Sequence, residues 1–157
     1  METHPNVIAV REALAAAGGS VPQVVILDEA VHTAAAAAAA LGVEVGQIAN
    51  SLIFDADGEP LLVLTSGAHR VDTAKVSAAL GVARLRRASP EFVREHTGQA
   101  IGGVAPLGHP KPVRTLVDTA LAEFQVVWAA GGVPRAVFPI TYAELVRVTA
   151  GTPVVVA

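Results

Sequence analysis

Ile48-Ala49-Asn50-Ser51-Leu52-Ile53-Phe54-Asp55-Ala56-Asp57-Gly58-Glu59-Pro60-Leu61-Leu62-Val63-Leu64-Thr65-Ser66 reads as a β-hairpin, and the other elements arrange themselves around it. Two apolar runs, Ile48 to Phe54 and Pro60 to Ser66, flank Asp55-Ala56-Asp57-Gly58, whose Asp-Gly end tolerates positive φ. Upstream, Thr33 is a plausible N-cap for Ala34 to Leu41, with Gly42 as its stop. Alanine is the best helix former, so this run predicts a close-packed helix and not a low-complexity tract. Before it, Gln23 to Leu27 reads as a short strand. Pro5 opens a helix with Val7, Ile8, Val10, Arg11 and Leu14 at the spacing of one face, closed at Gly18-Gly19.

Downstream, Asp72 caps a predicted helix from Thr73 to Leu80, closed by Gly81. A short strand, Arg84 to Arg86, precedes a helix that opens at Ser89-Pro90-Glu91 and runs to about Thr97. Ile101 to Pro112 is a long irregular loop, and such loops inside compact domains usually carry function. Strands follow at Thr115 to Val117, Gln125 to Trp128 and Arg135 to Phe138. Thr141 caps a final helix through Val148, and Val154 to Val156 adds an edge strand. Helices and strands alternate irregularly around a true hairpin. The expected class is therefore α/β (α+β) with a mixed sheet.

Composition removes several kinds of chemistry. The 157 residues suit one domain, 1–157, with a core that needs no disulfide or metal staple. With no Cys, thiolate metal sites, Fe–S clusters and cysteine nucleophiles are excluded. Eleven Lys+Arg against fourteen Asp+Glu argue against a broad basic face for duplex nucleic acid. Only two of the cations are lysines, Lys75 and Lys111. Arg84, Arg86 and Arg87 form the one tight basic cluster, read first as a solvated face. No apolar run nears the ~20 residues that span a bilayer, and the opening Met-Glu-Thr-His-Pro lacks a signal-peptide pattern. The expected location is the cytoplasm.

Familiar catalytic motifs are missing: no phosphate loop, no complete dinucleotide fingerprint, no His-Glu-x-x-His and no nucleophile elbow. Two places retain chemical promise. Glycines in Gly102-Gly103-Val104-Ala105-Pro106-Leu107-Gly108 let backbone N–H groups approach a ligand, so the loop is either a carbonyl or anion cradle or a tight crossover. Asn50-Ser51 interrupts an apolar strand, as residues do that face a cleft or that serve as caps and edges.

The blocks together resemble the YbaK/prolyl-tRNA-synthetase-associated editing domain family. They are Thr33 to Gly42 with Gly46 to Phe54, Ser66 to Lys75, Ile101 to His109 with a Gly-x-x-x-Pro pattern, and Trp128 to Phe138 with Glu144-Leu145-Val146. They cover nearly the whole chain in the family's order. The resemblance implies a mixed, partly barrel-like sheet surrounded by helices, and a free-standing trans-editing deacylase. Its substrate would be the ester of a mischarged aminoacyl-tRNA, typically tRNA-Pro bearing Ala or Cys, bound by its acceptor end. Prolyl-tRNA synthetase is an implied partner, and no metal or cofactor is implied.

The resemblance also assigns residues. Gly102 and Gly103 would hold the aminoacyl carbonyl through backbone N–H groups. Ser51, Val104, Ala105, Pro106, Gly108, His109, Gly131 and Gly132 would complete a pocket for a small side chain. Asn50 stands where the family pattern Gln-Ile-x-Lys-Ser-Leu-x-Phe has its lysine, which lies near the terminal ribose and phosphate. Asparagine can hydrogen-bond such oxygens but cannot neutralise them. The resemblance therefore carries a second reading, a binding homologue without hydrolysis. Lys75, Lys111, His109 and Arg70 are the candidates to supply the missing charge.

Overall fold

The computed structural model describes residues 3–18 and 22–157. Gly19, half of the expected stop of the first helix, and Met1-Glu2 lie outside the described residues. In chain order the elements are α1 (Pro5–Ala16), β1 (Val25–Ile26), α2 (Ala34–Leu41), β2 (Ile48–Ala56), β3 (Glu59–Ser66), α3 (Thr73–Leu80), β4 (Leu85–Arg87), α4 (Pro90–Thr97), β5 (Arg114–Asp118), β6 (Val127–Ala130), β7 (Ala136–Ile140), α5 (Tyr142–Thr149) and β8 (Thr152–Val154). Two short 3₁₀ segments, Val45–Gln47 and Thr119–Glu123, were not expected from the sequence. No described helix is long and apolar enough to cross a membrane.

The hairpin is longer and tighter than its composition suggested. β2 and β3 pair from Ala49↔Ser66 to Ala56↔Glu59, leaving only Asp57-Gly58 as the turn. Both turn residues have positive φ, 53° and 95°, which gives the type I′ twist that two-residue hairpins favour. Asp55 Oδ1 accepts from Gly58 N–H at 2.6 Å and holds the turn closed. Asp55 and Ala56 can therefore remain in the strand.

The hairpin is the middle of a mixed sheet of order β1-β7-β6-β2-β3-β5-β8, with β4 paired to the far end of β2. The path ends at β1 and β8, so the sheet stays open and does not close into a barrel. Helices cover it, as the α/β reading expects. Side chains alternate across a strand. Ala49, Ile53, Leu62, Leu64 and Val117 therefore pack with Val7, Val10 and Leu14 of α1 and Leu145 of α5. On the opposite face Phe54, Leu61, Val63 and Leu116 pack with Val76 of α3 and with Val156. Each fully buried side chain of this kind contributes about 1.5–3 kcal/mol. β3 is buried on both faces, which is why Leu61 to Leu64 form a continuous apolar run.

α2 forms a third, smaller contact. Ala37 and Ala38 lie against Ile48 and the half-buried Trp128. Thr33 Oγ1 accepts from Ala36 N–H at 3.1 Å, and Gly42 ends the helix in the left-handed region. Because its side chains are methyl groups, α2 can pack close to the start of β2.

Candidate functional site

The edge of β2 changes partner along its length. Pairing with β6 ends at Ala49↔Ala129, and pairing with β4 begins at Phe54↔Arg87. Ala88 N–H reaches Ile53 C=O at 3.3 Å. Asn50 to Leu52 therefore face no strand on this side. A cleft opens there, holding about 490 Å³ of empty space with its mouth included. Its walls are Ile48 to Ser51 of β2, Trp128 to Ala130 of β6, the start of α2 with Val31 and His32 before it, and Gly102, Val104 and Pro134 from two loops. No Asp, Glu, Lys or Arg lines it.

Asn50 and Ser51 point to opposite faces of β2. Among the described residues the Asn50 amide has no hydrogen-bond partner. Ser51 Oγ is buried and likewise unpartnered. A buried hydroxyl without a partner costs about 1–3 kcal/mol, so its persistence beside a cleft points to a ligand or water that completes it.

The glycine loop divides its main-chain groups between fastening and display. Ala105 is clamped on both sides: its N–H donates to Gln99 Oε1 at 2.7 Å, and its C=O accepts from His109 Nε2 at 2.8 Å. That bond places the His109 proton on Nε2. Burial lowers the His109 pKa from 6.5, opposed by this bond to the carbonyl. Gly103 N–H donates to Ala100 C=O at 2.9 Å. Gly102 and Val104 line the cleft, and among the described residues their N–H groups have no partner. Gly102 has φ +91°, and a Cβ there would lie 3.1 Å from His32 Nδ1. Only glycine suits both constraints.

A sequence model of the aminoacyl-tRNA editing domain matches residues 28–148, most of the chain. The chain belongs to the aminoacyl-tRNA editing domain family. A solved structure put forward as a trans-editing enzyme for prolyl tRNA synthetase superposes with a TM-score of 0.90 at 43% identity, covering 97% of this chain and 96% of that one. Protein YwhH of Bacillus subtilis (strain 168), uncharacterised, is 34% identical over 110 residues, 69% of each chain. Proline–tRNA ligase of Nitratidesulfovibrio vulgaris (strain DP4) is 35% identical over 100 residues, and the match covers only 17% of that enzyme.

Of the residues expected to form the site of this editing domain, the structure brings Asn50, Ser51, Gly102 and Val104 together in one cleft. Gly103 lies just behind, where a Cβ would meet Val133 and Pro134 at 2.9 Å. Ala105 and Pro106 are buried and anchor the loop. Gly108 packs on α1, and together with His109 it lines a different cavity, between α1, α5 and the loop. Gly131 packs against Ala136, and Gly132 packs on Asn6, whose Nδ2 donates to its carbonyl at 3.2 Å. Neither of these two lines the cleft.

Sequence reasoning missed His32, Thr33, Ala37 and Trp128 in the walls, and Gln99 in the clamp. Trp128 carried a usable signal as the chain's one tryptophan, next to Ala129-Ala130 in a family block. Gln99 carried none, because nothing local marks it as the partner of Ala105.

The four residues proposed to replace the family lysine all lie outside the cleft walls. Lys75 Nζ donates to the main-chain oxygen of Ala157 at 2.8 Å. His109 is occupied by Ala105, while Lys111 and Arg70 are exposed.

Proposed function

We propose that this editing domain hydrolyses the ester of a mischarged aminoacyl-tRNA in trans, with tRNA-Pro bearing Ala or Cys as the first candidates. The observation that carries this reading is the pair of unpartnered N–H groups, Gly102 and Val104, at a small uncharged cleft that also holds the unpartnered Asn50 and Ser51 side chains. The domain would bind the acceptor end, in the cytoplasm, alongside prolyl-tRNA synthetase.

In the reading proposed, the aminoacyl carbonyl oxygen accepts from the loop N–H groups. Water attacks the carbonyl carbon, and the oxygen gains negative charge that the same donors stabilise. The ester bond to the ribose oxygen then breaks. That oxygen takes the proton given up by the attacking water, releasing the free amino acid and an intact tRNA end. The neighbouring ribose hydroxyl helps to orient the water, and Asn50 holds the ribose. An ester is activated enough for positioning and oxyanion stabilisation to supply much of the rate, with one preorganised donor worth about 2.7–4 kcal/mol in comparable sites. Size selection follows from the walls. A pocket can refuse a longer side chain by clash, whereas a synthetic site rejects a shorter one by only about 1–3 kcal/mol per methylene.

The test is deacylation of Ala, Cys, Ser and Thr carried on tRNA-Pro, by wild type beside Asn50→Lys. The expected outcome is turnover above the spontaneous rate on at least one substrate, with kcat/KM raised about tenfold by Asn50→Lys, as one added phosphate contact allows. No turnover on any of them by wild type overturns it. A second reading, a binding homologue that does not hydrolyse, is favoured by Asn50 and by the uncharged cleft. It requires saturable binding of a non-hydrolysable aminoacyl-adenosine by wild type and turnover only after Asn50→Lys.

A further inference from the structure

Three adjacent strands carry a row of polar side chains that begins at the cleft. Asn50 of β2 stands directly opposite Thr65 of β3. Opposed residues put their side chains on the same face of a sheet, with Cβ atoms about 4.5–5.5 Å apart. The β3–β5 register pairs Leu64 with Val117, so the next residues, Thr65 and Asp118, are neighbours as well. Thr65 Oγ1 lies 3.4 Å from Asp118 Oδ2, and His69 Nδ1 lies 3.0 Å from that same oxygen.

Asp118 is held from several sides. Its side chain is 2% exposed, Oδ2 also accepts from Ser66 N–H at 2.9 Å, and Oδ1 accepts from Ala120 N–H at 2.9 Å. Tyr142 of α5 lies near enough that burial, and then the Asp118 charge, raise its phenol above 10.0. A carboxylate only accepts, so Nδ1 carries a proton toward Asp118, and Nε2 is left for an outside partner, to which it donates only when it is protonated as well. The His69 side chain is 39% exposed, so its ring bridges a buried charge and the surface.

A second path leads from His69 back to the cleft. Gly67, two residues earlier, is bonded through its N–H to Ile48 C=O at 2.8 Å. A Cβ on Gly67 would lie 2.7 Å from Ala34 Cβ, and both Ile48 and Ala34 are cleft walls. The segment carrying His69 is therefore packed onto the rim.

We propose that His69, held through Nδ1 by Asp118, binds at Nε2 a phosphate oxygen on the nucleotide that bears the aminoacyl group, the phosphate-bound ring being the imidazolium that donates from both nitrogens. This rests on the deacylase reading and deepens it. Asn50 contributes a neutral hydrogen bond, and the phosphate contact comes from the turn that follows β3. Asp118 is a positioning residue that fixes the ring through Nδ1 and does not touch the substrate.

The experiment measures binding, so that it is independent of turnover. The probes are a non-hydrolysable 3′-alanylamido-adenosine with and without a 5′-phosphate, titrated into wild type, His69→Ala and His69→Lys, with folding checked by thermal melts. Wild type is expected to prefer the phosphorylated probe about tenfold, His69→Ala to lose that preference, and His69→Lys to keep most of it. The log Kd against log salt slope for the phosphorylated probe is expected to be shallower by about 0.7 in His69→Ala, the single-strand value for one phosphate contact. An equal preference in wild type and His69→Ala overturns the proposal, as does the absence of any preference in wild type. If the preference holds but no mischarged tRNA is hydrolysed, the deacylase reading falls and the phosphate contact stands.

Discussion

Ser51 and Gly102 carry opposite kinds of cost at the same cleft. Ser51 Oγ is buried without a partner, so its removal relieves a penalty of about 1–3 kcal/mol in the unliganded protein. Ser51→Ala is expected to leave the urea midpoint equal or higher while weakening aminoacyl-adenosine binding, which calorimetric titration measures. Gly102 instead occupies φ +91° with His32 Nδ1 close by. Gly102→Ala is expected to lose about 1–3 kcal/mol of stability in urea melts and at least tenfold in kcat/KM, since alanine is strained at this φ and would shift the N–H that the proposed mechanism uses. At this scale the sequence was partly legible. Asn50 and Ser51 stood out because polar residues interrupted an apolar run, and Gly102 because it opened a glycine loop. His109 stood out for the same reason, being next to that loop. Its side chain turns back to Ala105, and the sequence could not show that direction.

Among the elements, α2 is the one whose local signals also place a wall of the site. Its cap, Thr33, and its first residues Ala34 and Ala37 line the cleft. Thr33→Ala removes the bond to Ala36 N–H and is expected to cost about 1 kcal/mol by denaturant melt, with KM for the aminoacyl ester rising as the first turn frays. Caps and stops were read well from the sequence. Asp72, Ser89 and Thr141 each accept from the N–H three residues on, and Gly81 and Gly98 end their helices in the left-handed region. These signals are local, so neighbours in sequence suffice to decide them. Strand boundaries were read less well. Arg84–Arg86 was displaced by one residue to Leu85–Arg87, because β4 is defined by its register on Ala56 and Phe54.

For the molecule as a whole, the half-buried His109 links stability to pH. Burial holds the folded imidazole below its ordinary 6.5, so the unfolded chain takes up the proton more readily. This stabilising difference is fully present above about pH 6.5 and is lost as pH falls through the folded pKa. The urea midpoint is expected to fall between about pH 7.5 and 5. His109→Gln, which keeps a donor toward Ala105 C=O without a titrating ring, is expected to flatten that fall. Equal pH profiles for the two proteins would refute the assignment.

The sequence by itself determined the hairpin, the helices with their caps, the mixed class and the two short stretches where chemistry was plausible. Each depends on periodicity, turn residues or composition within about ten positions. The tertiary structure decided which of those residues meet. The cleft exists because β2 changes partner between Ala129 and Arg87, residues 42 positions apart in the chain. The row from Asn50 through Thr65 and Asp118 to His69 exists because two registers bring together residues separated by up to 68 positions. Register is set by packing of whole faces, and a slip of one residue would turn Asn50 and Asp118 to the opposite side. No local signal carries that information.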